Sequence, residues 1–241
     1  MASDASSSQK SDLGVRVASA IVMLAMAGFV LWQDGWLLKG FIALIGVGLL
    51  YEYWGLVRLR YPSIPMRTAW MIGGVLYIGA ACASLAFMPS WLRWLIIVAV
   101  IATDTGAYFS GRRFGGRKIA PAISPSKTWA GLYGGMAGAA AVIVGAWLFV
   151  AMALSAFGQQ AMSIPAIIDR DPWIFAGAIV AGALIAVLAQ SGDFFESWMK
   201  RRAGVKDSGA LIPGHGGLFD RVDGLLPVAI AAGLFAWVKL A

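Results

Sequence analysis

The 241-residue sequence predicts an all-α fold, a polytopic integral membrane bundle of about seven spans with a cytoplasmic N-terminus. Three observations carry this expectation. Hydrophobic residues make up 60% of the chain and charged residues 13%, against about 45–50% and about 25% in soluble domains. The apolar residues fall into runs close to the roughly 20 residues that cross a bilayer core. The basic residues alternate from loop to loop. With the N-terminus inside, Lys10 and Arg16, then Arg58, Arg60 and Arg67, then Arg112, Arg113, Arg117, Lys118 and Lys127, then Lys200, Arg201, Arg202, Lys206 and Arg221 all fall on the cytoplasmic side. Only Lys39, Arg93, Arg170 and Lys239 fall outside. That is the positive-inside pattern.

Each element follows in order. Residues 1–16 are polar and serine-rich, the composition of a short disordered tail. The apolar run after Arg16 is long for a signal sequence and no small-x-small cleavage site follows it, so 17–33 is expected as a retained span. Further spans are expected at 36–57, 69–88, 91–109, 129–152, 174–190 and 225–240. Trp32, Trp36, Trp70, Trp91, Trp129, Trp173 and Trp237 sit near their edges, as an interfacial aromatic belt requires. The last run is short, with Pro227 near its start, and a broken or re-entrant segment would change the count without moving the large loops. Small residues from Gly131 to Gly145 suit close helix contact, and such faces also fit a homodimer. The spans use up the length, so 17–241 is expected to be one membrane domain. Net charge is +7, but the basic residues lie in short loops between spans, which argues against nucleic acid as a partner. Cys82 is the only cysteine, so no disulfide forms within the chain.

Two cytoplasmic loops, 110–128 and 191–224, hold most of the polar chemistry. Asp193, Glu196 and Lys200 fall at i, i+3 and i+7, one face of a helix leaving the membrane. A carboxylate there is costly unless paired or metal-bound. Asp220 and Asp223 are three apart at the start of the last span. A helix N-cap explains one of them, but two are better suited to a hard cation. Asp193, Asp220 and Asp223 together are therefore the candidate metal ligands, for Mg²⁺ and a second cation where two are used. Between these acids lies Pro213-Gly-His215-Gly216-Gly217, a turn whose glycines allow backbone N–H groups to approach an anion. His215 is the only histidine, a candidate to donate to a phosphate or protonate a leaving group. In the other loop Lys127 is flanked by hydroxyls in Ser124-Pro-Ser126-Lys-Thr and is the best phosphate-binding candidate. Gly111 and Gly116 have P-loop spacing without the Gly-Lys-Ser/Thr ending, so a P-loop ATPase is unsupported. Asp104 is expected in the site as an acid at the end of a span. Glu52 is expected to pair with an arginine such as Arg58.

Ser197, Lys200-Arg201, Lys206-Asp207, Pro213-Gly-His215-Gly-Gly217 and Asp220-Arg221-Val222-Asp223 form a spaced set. Asp104-Thr-Gly-Ala-Tyr108 and Ser124-Pro-Ser-Lys-Thr128 precede it. The set resembles the signature of the phosphatidate cytidylyltransferase family, the CDP-diacylglycerol synthases, over roughly the C-terminal three-fifths of the chain. The resemblance implies transfer of CMP from CTP to phosphatidate, giving CDP-diacylglycerol and pyrophosphate, with Mg²⁺ required. It implies catalytic roles for Asp193, Lys206, His215, Asp220 and Asp223. Ser124, Ser126, Lys127, Lys200, Arg201, Arg221, Gly216, Gly217 and Asp104 would bind substrate.

The lipid substrate stays in the membrane and the nucleotide comes from the cytosol, so a polar funnel open to the cytosol with a lateral gap to lipid is expected. A bacterial inner membrane fits the compact loops. A CTP-dependent polyprenol or dolichol-type lipid kinase is the alternative enzyme, and an anion transporter the alternative of another class. The Asp-Gly-x-x-Ala-Arg pattern of CDP-alcohol transferases is absent.

Overall fold

The structure, a computed structural model, describes residues 2–157, 164–170, 172–212 and 216–240. Among these residues the architecture is all-helical: α1 (Ala2–Gln33), α2 (Gly35–Arg60), α3 (Ile64–Phe87), α4 (Ser90–Phe114), α5 (Trp129–Phe157), α6 (Ile164–Arg170), α7 (Trp173–Ala203), α8 (Phe219–Val222) and α9 (Leu225–Leu240). Helices α2, α3, α4, α5 and α7 are long and apolar enough to cross a membrane. The first and last of the seven expected spans coincide with shorter apolar helices, Ser19–Gln33 within α1 and Leu225–Lys239 within α9. Helix α1 begins at Ala2, so the polar stretch at the N-terminus is continuous with the first apolar run.

Two helices run past the apolar segments that announce them. Helix α4 continues to Phe114 and α7 to Ala203, so the loops expected at 110–128 and 191–224 begin as helix. Hydropathy ends at the membrane boundary, but the helix ends only where the backbone is made to turn. Gly115, at φ 60°, closes α4. Gly204, at φ 72°, closes α7: its N–H donates to Arg201 O and the Val205 N–H to Lys200 O. This is the Schellman pattern, which favours a residue without Cβ. The extra turns of α7 carry Asp193, Glu196 and Lys200 out of the apolar zone on one rigid rod.

The bundle packs backbone to backbone where glycine permits it. A Cβ on Gly138 in α5 would lie 2.5 Å from the Ala102 carbonyl oxygen of α4, and one on Gly134 would collide with Ser110. Likewise a Cβ on Gly182 in α7 would lie 2.6 Å from the Ala140 nitrogen of α5. The small residues of α5 thus face α4 and α7, the protein side, as transmembrane packing favours. A second body of contacts joins α2, α3, α7, α8 and α9 through Leu49, Tyr53, Ile78, Met199, Phe219 and Leu226.

The two ends of the bundle are tied differently. At one end Arg93, only 2% exposed, donates to Leu85 O (2.7 Å), Met88 O (2.9 Å) and Asp34 Oδ1 (3.1 Å). It locks the α1–α2 turn against the α3–α4 turn. At the other end Tyr61 stacks on Trp70 with centroids 5.2 Å apart, Trp70 meets Trp198 at 5.8 Å, and the Arg202 guanidinium lies 4.8 Å over Trp198.

Replacing Gly138 with Leu should lower detergent-phase thermal stability by about 1–3 kcal/mol, the usual cost of overpacking. Gly145→Leu, at a position with nothing within 4 Å of its Cβ, should leave the melting temperature unchanged.

Candidate active site

The segment before α5 folds back on itself. Lys118 and Thr128 form an antiparallel bridge, and the Ile119 N–H donates to Lys127 O at 3.1 Å. Thr128 is buried and its Oγ1 accepts the Gly131 N–H at 3.1 Å, satisfying a free donor at the start of α5. Ser124 is buried, with its hydroxyl 3.4 Å from that of Ser126. This folding aims Lys127 at α7, where its ammonium pairs with Asp193. Asp104, Lys127, Asp193, Thr103 and Gln190 line one small cleft. Burial lowers the Lys127 pKa, and Asp104 and Asp223 oppose that shift.

Asp223 approaches from the turn after α8. A Cβ on Gly192 would collide with the Asp223 carbonyl oxygen, so α7 and this turn touch through bare backbone one residue before Asp193. Asp223 Oδ1 accepts the Gly224 N–H at 2.8 Å. Burial raises its carboxyl to about 6, although Gly224, Lys127 and Lys200 act to lower it. Burial thus makes the charged form costlier than it is in water, a cost that added positive charge would offset.

A second polar layer lies beside the first. Glu196 is 1% exposed; its Oε2 is 2.5 Å from Lys200 Nζ, and its Oε1 has no hydrogen-bond partner among the described residues. Lys200 also pairs with Asp220. Asp220 Oδ2 accepts from the Ser208 N–H (3.0 Å), the Ser208 hydroxyl (2.8 Å) and the Gly217 N–H (3.1 Å). Burial would raise the Asp220 carboxyl, but hydrogen bonds with Glu196, Lys200 and Ser208 outweigh it and hold the group well below the usual carboxylate range.

The sequence-predicted residues divide accordingly. Asp104, Lys127 and Asp193 share the cleft, the Asp223 charge acts on Lys127, and Lys200 joins Asp220 to Glu196. Arg201, Lys206 and Arg221 are exposed. His215 lies outside the described residues. Gly216 holds φ 80° and its carbonyl accepts the Ile212 N–H at 3.1 Å. The Gly217 N–H donates to Asp220 Oδ2. Among the described residues no three of His, Cys, Asp and Glu are grouped so as to hold a metal ion. Asp193 and Asp220 each hold a lysine ammonium. Glu52 also departs from expectation. It pairs with no arginine at Arg58, which is exposed, and reaches the Ser208 hydroxyl and the backbone before α8 instead.

Comparison with known proteins decides the family. The model of the Cytidylyltransferase family matches residues 89–238. The chain belongs to that family. It is 38% identical over 199 residues to the phosphatidate cytidylyltransferase of Brucella suis, covering 80% of this chain and 66% of the relative. It is 32% identical over 226 residues to that of Rickettsia felis, covering 91% and 90%. A third relative, the phosphatidate cytidylyltransferase of Mycobacterium bovis, is 38% identical over 161 residues, 66% of this chain and 44% of that one. The chain thus spans just under two-thirds of the length of the Brucella relative and nearly all of the Rickettsia one.

This member of the cytidylyltransferase family also contains features that the motifs did not reveal. Ser208 follows the Lys206-Asp207 pair and carried no distinguishing pattern. An apolar groove of about 500 Å³ is lined by Tyr53, Trp70, Gly73, Tyr77, Phe195 and Pro227 among others, with Ser191 and Gly192 on its α7 wall. Its lining comes from four helices, so no sequence window contains it.

The Asp220 bonds have a pH signature. A carboxyl with a depressed folded-state pKa contributes stability that is present above the unfolded value, about 3.9, and is lost as pH falls through the folded value. Asp220→Asn should therefore be less stable than the parent near neutral pH, and the gap should close below about pH 4. Thermal unfolding in detergent across pH measures it.

Proposed function

We propose that the protein transfers CMP from CTP to phosphatidate, releasing pyrophosphate and forming CDP-diacylglycerol. The observation that carries this reading is the junction of the two motif segments: Lys127 and Asp193, 66 residues apart in sequence, meet beside Asp223. The family membership and the names of the relatives point to the same chemistry. A phosphate oxygen of phosphatidate forms a bond to the α-phosphorus of CTP, and the bond from that phosphorus to the bridging oxygen of the β-phosphate breaks. A phosphomonoester has a second pKa of about 6 and is largely dianionic at neutral pH, so the nucleophile needs little help from a base. The obstacle is repulsion between two polyanions.

The residues suit that obstacle. Lys127, freed from Asp193 when substrate enters, supplies a partly desolvated cation to a phosphate. Lys200, seated between Glu196 and Asp220, supports the same region. The donor set also fits Mg²⁺, which takes one or two carboxylates and completes its shell with water and substrate phosphates. Asp193 and Asp223 would hold it; Asp220 could add only Oδ1, because Oδ2 already accepts three donors. When bound, the ion would offset phosphate charge. The raised Asp223 carboxyl is consistent with a group that awaits a cation.

Phosphatidate would keep its tails in lipid and approach Asp223 along the groove between α3 and α7, whose wall at Gly192 touches the Asp223 backbone, while CTP arrives from the cytosolic end. With the N-terminus inside, the cleft faces the cytoplasm of a bacterial inner membrane, and residues 17–241 form one catalytic membrane domain.

Purified protein given CTP, phosphatidate and Mg²⁺ should release pyrophosphate, and EDTA should abolish the release. A polyprenol kinase would instead phosphorylate labelled dolichol, and a transporter would move anions across liposomes without releasing pyrophosphate. Asp223→Asn should lower turnover on the order of 10²–10³-fold, the scale of losing one preorganised charge contact, with the melting temperature retained. A nearly unchanged rate would remove Asp223 from the site.

A further inference from the structure

Glu52 lies in α2, outside the family-matched region of residues 89–238. It is 2% exposed, and a buried carboxylate needs several donors. It has them. Oε1 accepts the Leu218 N–H at 3.0 Å, and Oε2 accepts the Phe219 N–H at 2.8 Å and the Ser208 hydroxyl at 3.0 Å. The same hydroxyl lies 2.8 Å from Asp220 Oδ2. Ser208 has one hydroxyl proton, so it bridges two carboxylates that each depend on backbone N–H groups for the rest of their bonding. The consecutive N–H groups of Gly217, Leu218 and Phe219 are divided between Asp220 and Glu52. Glycine is required around this knot. A Cβ on Gly217 would collide with the Ser208 hydroxyl, and one on Gly209 would collide with Glu52.

We propose that Glu52 is a positioning residue for the CMP-transfer reaction, anchoring the turn before α8 and, through Ser208, fixing Asp220 against Lys200. It touches no substrate. It sets the orientation of groups that do, in the way outer partners orient a ligand shell. The assignment rests on the proposed CMP-transfer activity, but the anchoring contact can be tested without it.

Two measurements decide the proposal. In the first, steady-state turnover is compared for the parent, Glu52→Gln, Ser208→Ala and Arg58→Gln. In the second, trypsin cleavage after the exposed Lys206 is timed by mass spectrometry on folded protein in detergent. Glu52→Gln and Ser208→Ala should each lose roughly 10–100-fold in kcat, while KM for CTP and phosphatidate stays within about twofold. Both should be cut after Lys206 several times faster than the parent, because the loop opens more often. Arg58→Gln should match the parent in both. Parental kcat in Glu52→Gln, or a parental cleavage rate, overturns the proposal. So does a change in KM alone. If Glu52→Gln does not fold, Ser208→Ala carries both measurements, and parental values there overturn the proposal equally. If the parent shows no transfer from CTP to phosphatidate, the functional reading fails, and the cleavage rates alone uphold or overturn the anchor.

Discussion

The site depends on one constraint: a carboxylate withdrawn from water must be given donors or a counter-charge. Five acids, Glu52, Asp193, Glu196, Asp220 and Asp223, converge at one end of this bundle, and each is answered differently. Asp193 takes the Lys127 ammonium. Asp220 and Glu52 take backbone N–H groups and share a serine hydroxyl. Glu196 takes Lys200 on one oxygen and leaves the other without a partner among the described residues. Asp223 has one backbone donor and a raised pKa. The gradient runs from carboxylates with several donors to carboxylates with few.

Glycine makes that convergence geometrically achievable. The α4–α5–α7 contacts bring three backbones close enough for Lys127 to reach Asp193 from a separate loop. The approach of Gly192 to Asp223 places α7 against the turn before α9. Substitution by alanine in any of these seams would push apart groups whose interaction falls with every ångström. The small residues thus serve the electrostatics as well as the packing.

The membrane sets the remaining geometry. An apolar groove ends beside Ser191 and Gly192, at the point where α7 becomes polar. The long α7 rod holds the transition in one rigid piece, and its Schellman turn at Gly204 begins the loop that returns to bind Asp220.

Much of this was legible in the residue order. Apolar runs and loop charge located the helices, since hydropathy and the bilayer impose a strong one-dimensional code. The spacing of Asp193, Glu196 and Lys200 revealed their common helix face, and the motif residues pointed to cytidylyl chemistry. Helix ends at Phe114 and Ala203 were missed because hydropathy stops where water begins, while a helix stops where a glycine turns it. The partner of Glu52 was missed for a different reason. Its donors lie 156 to 167 residues away, and no local pattern encodes a contact closed only by packing. The sequence by itself determined the membrane bundle, its charged end and the chemical class of the site. Tertiary structure alone decided which carboxylate is saturated, which holds a lysine and which is left short of donors, because hydrogen bonds extend only about 3 Å and the chain's folding chooses the groups that come within that reach.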